Sequence, residues 1–293
     1  SLIFSAALPI NIRGYDMRAF EKMHPVPCFL YFLAVIGFTI FSRDPVILAE
    51  SLIGAVTAAV LSEKSGALPF LGLTAAAVTL TNPLFSHNGV TVLFFVGDLA
   101  VTLEALVYGL AFSVMLCASV LWGAVSTQFL TSDKYIWLFG RLLPSAGLVL
   151  SCAIRFVPLF VGRTRDFIKA RKAVTLKGVA AAFSASLSYS AEEAMMTADS
   201  MKSRGYGSAK RTFYSSYRMT GGDIRALVTV LLCGAACLAL SLIGAGKFFY
   251  YPALSAPKPN IANIVLYVCF GVMCAFPTVL IVSEELKRSF QKE

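Results

Sequence analysis

Histidine is nearly absent: His24 and His87 are the only two, and they lie far apart in the chain. No HExxH, EF-hand or GxSxG string occurs, so the usual groups for zinc hydrolysis, calcium sensing and serine-hydrolase chemistry are missing. A GxxxxGK[ST] loop is missing too. The nearest string, Gly244-Ala245-Gly246-Lys247-Phe248, fails the spacing, so ATP binding by that route is not expected of this chain. Charge is scarce at 14% of residues, against about 25% in soluble domains. That composition excludes a disordered chain and disfavours a cytosolic enzyme. The seven cysteines are odd in number, form no CxxC pair and lie in apolar stretches, so they read as reduced packing residues rather than a disulfide or zinc framework. The opening residues show no basic segment ahead of a short apolar run, so no cleavable signal peptide is expected there.

What the chain does have is apolar length. Its 293 residues are 57% hydrophobic, with a mean hydropathy of +0.75. Apolar runs occupy Phe29–Phe41, Val46–Leu61, Ala67–Leu80, Val101–Val125, Ile224–Ile243 and Ala262–Val282. A spanning helix needs about 20 such residues. The last three runs reach that length, and the first three need their flanks, local thinning of the bilayer or a re-entrant path. Six spans in an all-α, polytopic membrane protein are predicted. Glu50, Asp98 and Glu104 lie near predicted span ends, where solvation at the membrane interface is expected.

The charge is uneven. The segment Gln128–Arg225 holds 15 Lys/Arg and 6 Asp/Glu, which is the whole formal excess of +9. The positive-inside rule places it in the cytoplasm, together with Arg13, Arg18, Lys22, Lys64 and the C-terminal Lys287, Arg288 and Lys292. Both termini then fall inside. Three regions follow: a membrane region of about four spans at 1–127, a basic cytoplasmic region at 128–225, and a membrane region of about two spans at 226–293.

Within the basic region, Leu142–Arg171 reads as a long amphipathic helix, with Pro158 a candidate kink, and Leu176–Arg204 as a second helix. The second carries small residues at a spacing of four: Ala182, Ser186, Ser190, Ala194 and Ala198. Such a ridge suits close approach of another backbone, or is simply an Ala/Ser-rich surface. Glu192, Glu193 and Asp199 form an acidic cluster that fits no metal motif and reads as a solvated face. Arg171 and Arg204 lie near the predicted C-terminal ends of the two helices, and Gly205 reads as a C′ glycine. Cations there complement the helix dipole by about 0.3–1 kcal/mol. The same placement also lets a planar guanidinium meet carboxylates or carbonyls of a partner.

A series of short motifs runs in order along the chain: His24-Pro25, Asp44-Pro45, Asn82-Pro83-Leu84-Phe85 with Gly89, Glu104-Ala105-Leu106 with Tyr108-Gly109, Arg155-Phe156-Val157-Pro158, Ile168-Lys169-Ala170-Arg171, and Ala198 through Tyr206 with Arg211-Thr212. In this order the chain resembles the transmembrane T component of energy-coupling factor (ECF) transporters over about residues 22–214. The resemblance implies two X-Arg-X motifs, at Ala170-Arg171-Lys172 and Ser203-Arg204-Gly205, the first carrying Lys172 where glycine is commoner. It implies that these motifs dock two ABC-type ATPase subunits, and that the cytoplasmic coupling helices hold a small membrane S component that captures a vitamin or metal ion. The small-residue ridge would then receive that component. No catalysis and no cofactor are implied in this chain, because ATP and Mg belong to the partner subunits.

Two other readings remain: a polytopic membrane enzyme acting on lipid, and a self-contained secondary transporter. The first lacks a defensible cluster of acids or histidines. The second lacks a broken-helix repeat or central charged site. Nucleic acid is a poor partner, since membrane topology already accounts for the positive charge.

Overall fold

Prolines and capping residues fix where the first helices start. The computed structural model describes residues 23–62, 68–85, 89–96, 99–170, 175–208, 217–251, 255 and 260–290. Helix α1 (Pro25–Phe41) opens at His24, whose Nδ1 accepts from the Val26 amide at 3.3 Å. Helix α2 (Pro45–Leu61) opens at Asp44, whose Oδ1 accepts from the Val46 amide at 3.0 Å. In both, proline occupies the first turn, where its missing N–H costs nothing. So His24-Pro25 and Asp44-Pro45 are helix starts.

The remaining elements among the described residues are α3 (Leu68–Phe85), a two-stranded antiparallel ribbon β1 (Val92–Val96) and β2 (Leu99–Thr102), α4 (Leu103–Phe129), α5 (Ser132–Leu142), α6 (Pro144–Ala170), α7 (Leu176–Ser203), α8 (Gly221–Ile243) and α9 (Ile261–Phe290). The fold is overwhelmingly helical. Among the described residues, four helical segments are long and apolar enough to cross a membrane: Leu103–Phe129, Ser145–Ala170, Gly221–Ile243 and Ile261–Val279. These mark the chain as a membrane protein. Helices α1 and α2 are apolar but have only 17 residues each, about 25 Å of helix against a hydrocarbon core of about 30 Å.

Three local features differ from expectation. The apolar run from Val101 begins as strand, and the helix starts only at Leu103, where Thr102 caps it. The β ribbon carries no sequence signal of its own, because Val92–Val96 is too short and uniformly apolar to separate strand from helix by periodicity. The helix expected at Leu142–Arg171 is preceded by a separate short helix, α5, and it continues unbroken through Pro158.

The chain divides into two compact units, Ser1–Thr131 with Met219–Glu293, and Ser132–Arg218. The first contains α1–α4, α8, α9 and the ribbon. Its core is built around Trp122 of α4, which is fully buried. The indole meets Tyr31 and Phe32 of α1 edge-on at centroid distances of 6.2 and 6.4 Å. Its Nε1 donates to Ser51 of α2 at 3.1 Å, and Ser51 shares a 2.7 Å hydrogen bond with Thr39 of α1. The Tyr31 hydroxyl donates to the Met273 carbonyl of α9 at 3.0 Å. Gly54 lets α2 and α9 touch, since a Cβ there would lie 2.8 Å from Cys274 Cβ.

The second unit contains α5, α6 and α7. Helices α5 and α6 meet at Gly140 and Gly147: a Cβ on Gly147 would collide with the Gly140 Cα and sit 3.0 Å from its amide nitrogen. The obstacle is backbone, which cannot rotate away. Gly147→Val is therefore expected to destabilise the protein by about 3 kcal/mol, the upper end for overpacking. Gly162→Ala, where no atom lies within 4 Å of the new Cβ, should be neutral or slightly stabilising. Thermal unfolding of the two variants in detergent reads the difference.

Candidate functional site

Helices α6 and α7 run antiparallel, joined through residues 171–175. Their pairing is recorded by side chains. Phe160 and Phe183 meet edge-on at 5.5 Å, and Thr164 and Ser186 share a 2.8 Å hydrogen bond. Arg163 forms a bidentate ion pair with Glu193, with Nη2 at 2.8 Å from Oε1 and Nη1 on Oε2, and its guanidinium lies 4.8 Å from the centre of the Tyr189 ring. The Arg163 hydrogen bonds hold the Glu193 carboxyl below the usual carboxylate range.

A carboxyl lowered in the folded state contributes stability above its unfolded pKa and loses it as pH falls through the folded value. The thermal-stability gap between wild type and Glu193→Gln should therefore be fully present at neutral pH. It should close on acidification below the ordinary carboxylate range, and a gap independent of pH would exclude the ion pair as its source.

The small-residue ridge takes part in this contact. Ala182 and Ser186 are completely buried, and Ser190 is half-buried with its Oγ enclosed, whereas Ala194 and Ala198 are exposed. Within the chain it is therefore helix α6 that the first part of the ridge receives. The covered row then continues through the half-buried Glu193 and Thr197 rather than through the two exposed alanines. A spacing of four drifts slowly around a helix of 3.6 residues per turn, and so leaves the interface after three residues. Glu193 departs from the solvated acidic face expected of it, while Glu192 and Asp199 are exposed as expected.

Arg204 is the C-cap of α7 and is exposed. Gly205 has φ +78°, its amide donates to the Lys202 carbonyl at 2.9 Å, and the Tyr206 amide donates to the Met201 carbonyl at 3.0 Å. These two bonds are a Schellman motif, which stops the helix and leaves Arg204 at its end. Its guanidinium makes no hydrogen bond or ion pair among the described residues. Ser203 is the last residue of α7 and Ala170 the last of α6, so each X-Arg-X string follows a helix C-terminus. Arg171 and Lys172 lie outside the described residues. With α7 spanning 28 residues, about 42 Å, Ala170 and Ser203 fall at opposite ends of the hairpin.

Beside Arg204, an open groove of about 440 Å³ separates α6 from α7. One wall is a single face of α6, including Leu148, Ser151, Arg155 and Phe156. The other is a single face of α7, including Met196, Thr197, Ser200 and Met201. Arg155, like Arg204, makes no hydrogen bond or ion pair among the described residues.

In the other unit, the motif residues fasten helices. Asn82 Nδ2 donates to the Ala105 carbonyl at 2.7 Å, and Gly109 admits the Asn82 side chain, since a Cβ there would lie 2.8 Å from Asn82 Cβ. Glu104 accepts from the Thr91 hydroxyl at 2.9 Å and from its amide at 3.2 Å. It is 3% exposed, so it is a buried tie rather than the solvated interfacial group expected. Glu50 is half-buried with Oε2 enclosed, and Asp98 lies outside the described residues. Asp223 closes a capping box with Thr220 on α8 and accepts from the His24 amide at 3.3 Å, tying α1 to α8. Sequence spacing gave no sign of that bond, since its partners are 199 residues apart. Among the described residues, no three His, Cys, Asp or Glu side chains are grouped to hold a metal ion. No protein-family model matches the chain, and no curated protein is significantly similar to it.

Proposed function

We propose that this chain is the membrane scaffold subunit of an ECF-type importer. In this reading it couples ATP hydrolysis by two separate ATPase subunits to movement of a substrate-binding S component. The observation that carries the reading is the coincidence of charge and architecture. The unit Ser132–Arg218 holds 14 Lys/Arg and 5 Asp/Glu, so the chain's entire excess of +9 belongs to it, and the unit containing the other three spanning candidates is neutral. A basic helical hairpin with an exposed arginine at a terminated helix end, unpaired among the described residues, is suited to gripping acidic partners.

Helix α6 is itself apolar enough to span, but its neighbour argues for a place at the cytoplasmic surface. Helix α7 packs along it and carries exposed Glu192 and Asp199, which are costly in hydrocarbon. The hairpin therefore lies outside the bilayer core, under the positive-inside rule on the cytoplasmic side of the cell membrane.

Mild-detergent purification of the full chain from its own cells, with mass spectrometry of what co-purifies, tests the reading. Two ABC-type ATPase chains and one small membrane protein are expected. Their absence, with uptake by liposomes containing this chain alone, would replace it with the self-contained transporter.

A further inference from the structure

The groove between α6 and α7 has a chemistry that, Arg204 apart, the docking role does not use. Apart from Glu193, its polar side chains can all donate: the Arg155 guanidinium, the hydroxyls of Ser151, Thr197 and Ser200, which also accept, and Arg204 at the end of α7. Its single acid, Glu193, is engaged by Arg163 in a bidentate pair, so the groove carries no free negative charge. The remaining walls are apolar, with Leu148 and Phe156 from α6 facing Met196 and Met201 from α7. A volume of about 440 Å³ lies within the range of small-molecule sites.

Donors at one place and apolar walls at another select a ligand with a compact anion joined to a hydrocarbon part. We propose that this groove binds the phosphodiester headgroup of an anionic glycerophospholipid, with Arg155 as the principal phosphate ligand and the methionine and phenylalanine walls against the glycerol and first acyl carbons. Guanidinium matches phosphate geometry with two parallel hydrogen bonds, and the hydroxyls complete the remaining oxygens. Arg155 lies among the groove residues and makes no ion pair among the described residues, though its charge acts on Glu193, whereas Arg163, two turns along the same helix, is already committed to Glu193 and Tyr189. The unit's net charge of +9 adds long-range attraction for an anionic leaflet. Of the groove residues only Arg204 has a part in the proposed docking role; Arg155, the principal phosphate ligand, has none.

The test is native mass spectrometry of the full chain in mild detergent, with phosphatidylglycerol or phosphatidylcholine added. Glycerol 3-phosphate serves as the soluble ester. Wild type is expected to retain one phosphatidylglycerol in preference to phosphatidylcholine. Arg155→Gln should reduce that retention by at least about tenfold, as loss of a charge-assisted hydrogen bond predicts. Arg155→Lys should keep part of it, and would also show that the fold survives at this position. Arg165→Gln, an exposed charge on the same helix outside the groove, should leave it unchanged. Binding of glycerol 3-phosphate that is equally sensitive to Arg155, with no preference between the two lipids, would overturn the lipid source and assign the site to a soluble phosphate ester. Equal losses in Arg155→Gln and Arg165→Gln, or no loss in either, would overturn the site itself.

Discussion

On the proposed docking role, Arg204→Glu is expected to abolish uptake and strip the ATPase subunits from the chain while leaving the chain itself folded. The side chain is exposed and makes no bond among the described residues, and the helix end is fixed by the backbone of Lys202, Gly205 and Met201 rather than by the guanidinium. A glutamate there loses only the helix-dipole preference, about 0.3–1 kcal/mol. At an interface the balance is different. Removing one partner of a buried charge pair costs about 2–5 kcal/mol, and reversing its sign adds repulsion. Arg171→Glu should act in the same direction. Wild-type uptake and normal recovery of partner subunits in both variants would end the docking assignment. A thermal midpoint close to wild type is needed alongside, so that loss of partners is not loss of fold.

Trp122→Ala is expected to be the most damaging single truncation in the membrane unit. The indole is completely buried among α1 and α2, and its Nε1 bond to Ser51 joins a polar line that continues to Thr39. Removing it opens a cavity, deletes the contacts with Tyr31 and Phe32, and leaves Ser51 one donor short. Trp→Ala in soluble cores costs about 3–5 kcal/mol. Between helices in lipid the transfer contribution is small, because hydrocarbon is as apolar as the neighbours, and the loss comes from packing and the hydrogen bond. About 3 kcal/mol is therefore expected. Denaturant titration in mixed micelles, with Trp122→Phe as the milder companion, measures it; a loss below about 1 kcal/mol would show that the four-helix junction does not depend on this ring.

These two residues differ in how far the sequence foretells them. Arg204 is legible because its signal is local. A helix pattern ends, glycine follows, and the Schellman bonds form within six residues. The same holds for Asp44-Pro45, for the apolar runs that became α1, α2, α8 and α9, and for the basic block within which the second unit lies. Each is set by composition or by neighbours within a turn or two.

Trp122, Glu104 and Glu193 are a different kind of residue. Glu104 looks like an interfacial acid until the pairing of β1 with β2 brings Thr91 to it. Glu193 looks like part of a solvated face until Arg163, thirty residues away, meets it across the hairpin. The close glycines at Gly147 and Gly109 look like any helical glycine until another backbone or side chain occupies the space a Cβ would need. Helix α6 shows the same division. Its own sequence is apolar enough to span, and only its pairing with the charge-bearing α7 argues for another place.

The amino-acid sequence by itself determined that this is a helical membrane chain with one basic segment, because hydrophobic length and charge density are summed along the chain and need no partners. Which polar groups are satisfied, which arginines stay free and where a groove opens were decided only in three dimensions. The partners in those contacts lie tens to hundreds of residues away, and their geometry exists only once the helices have packed.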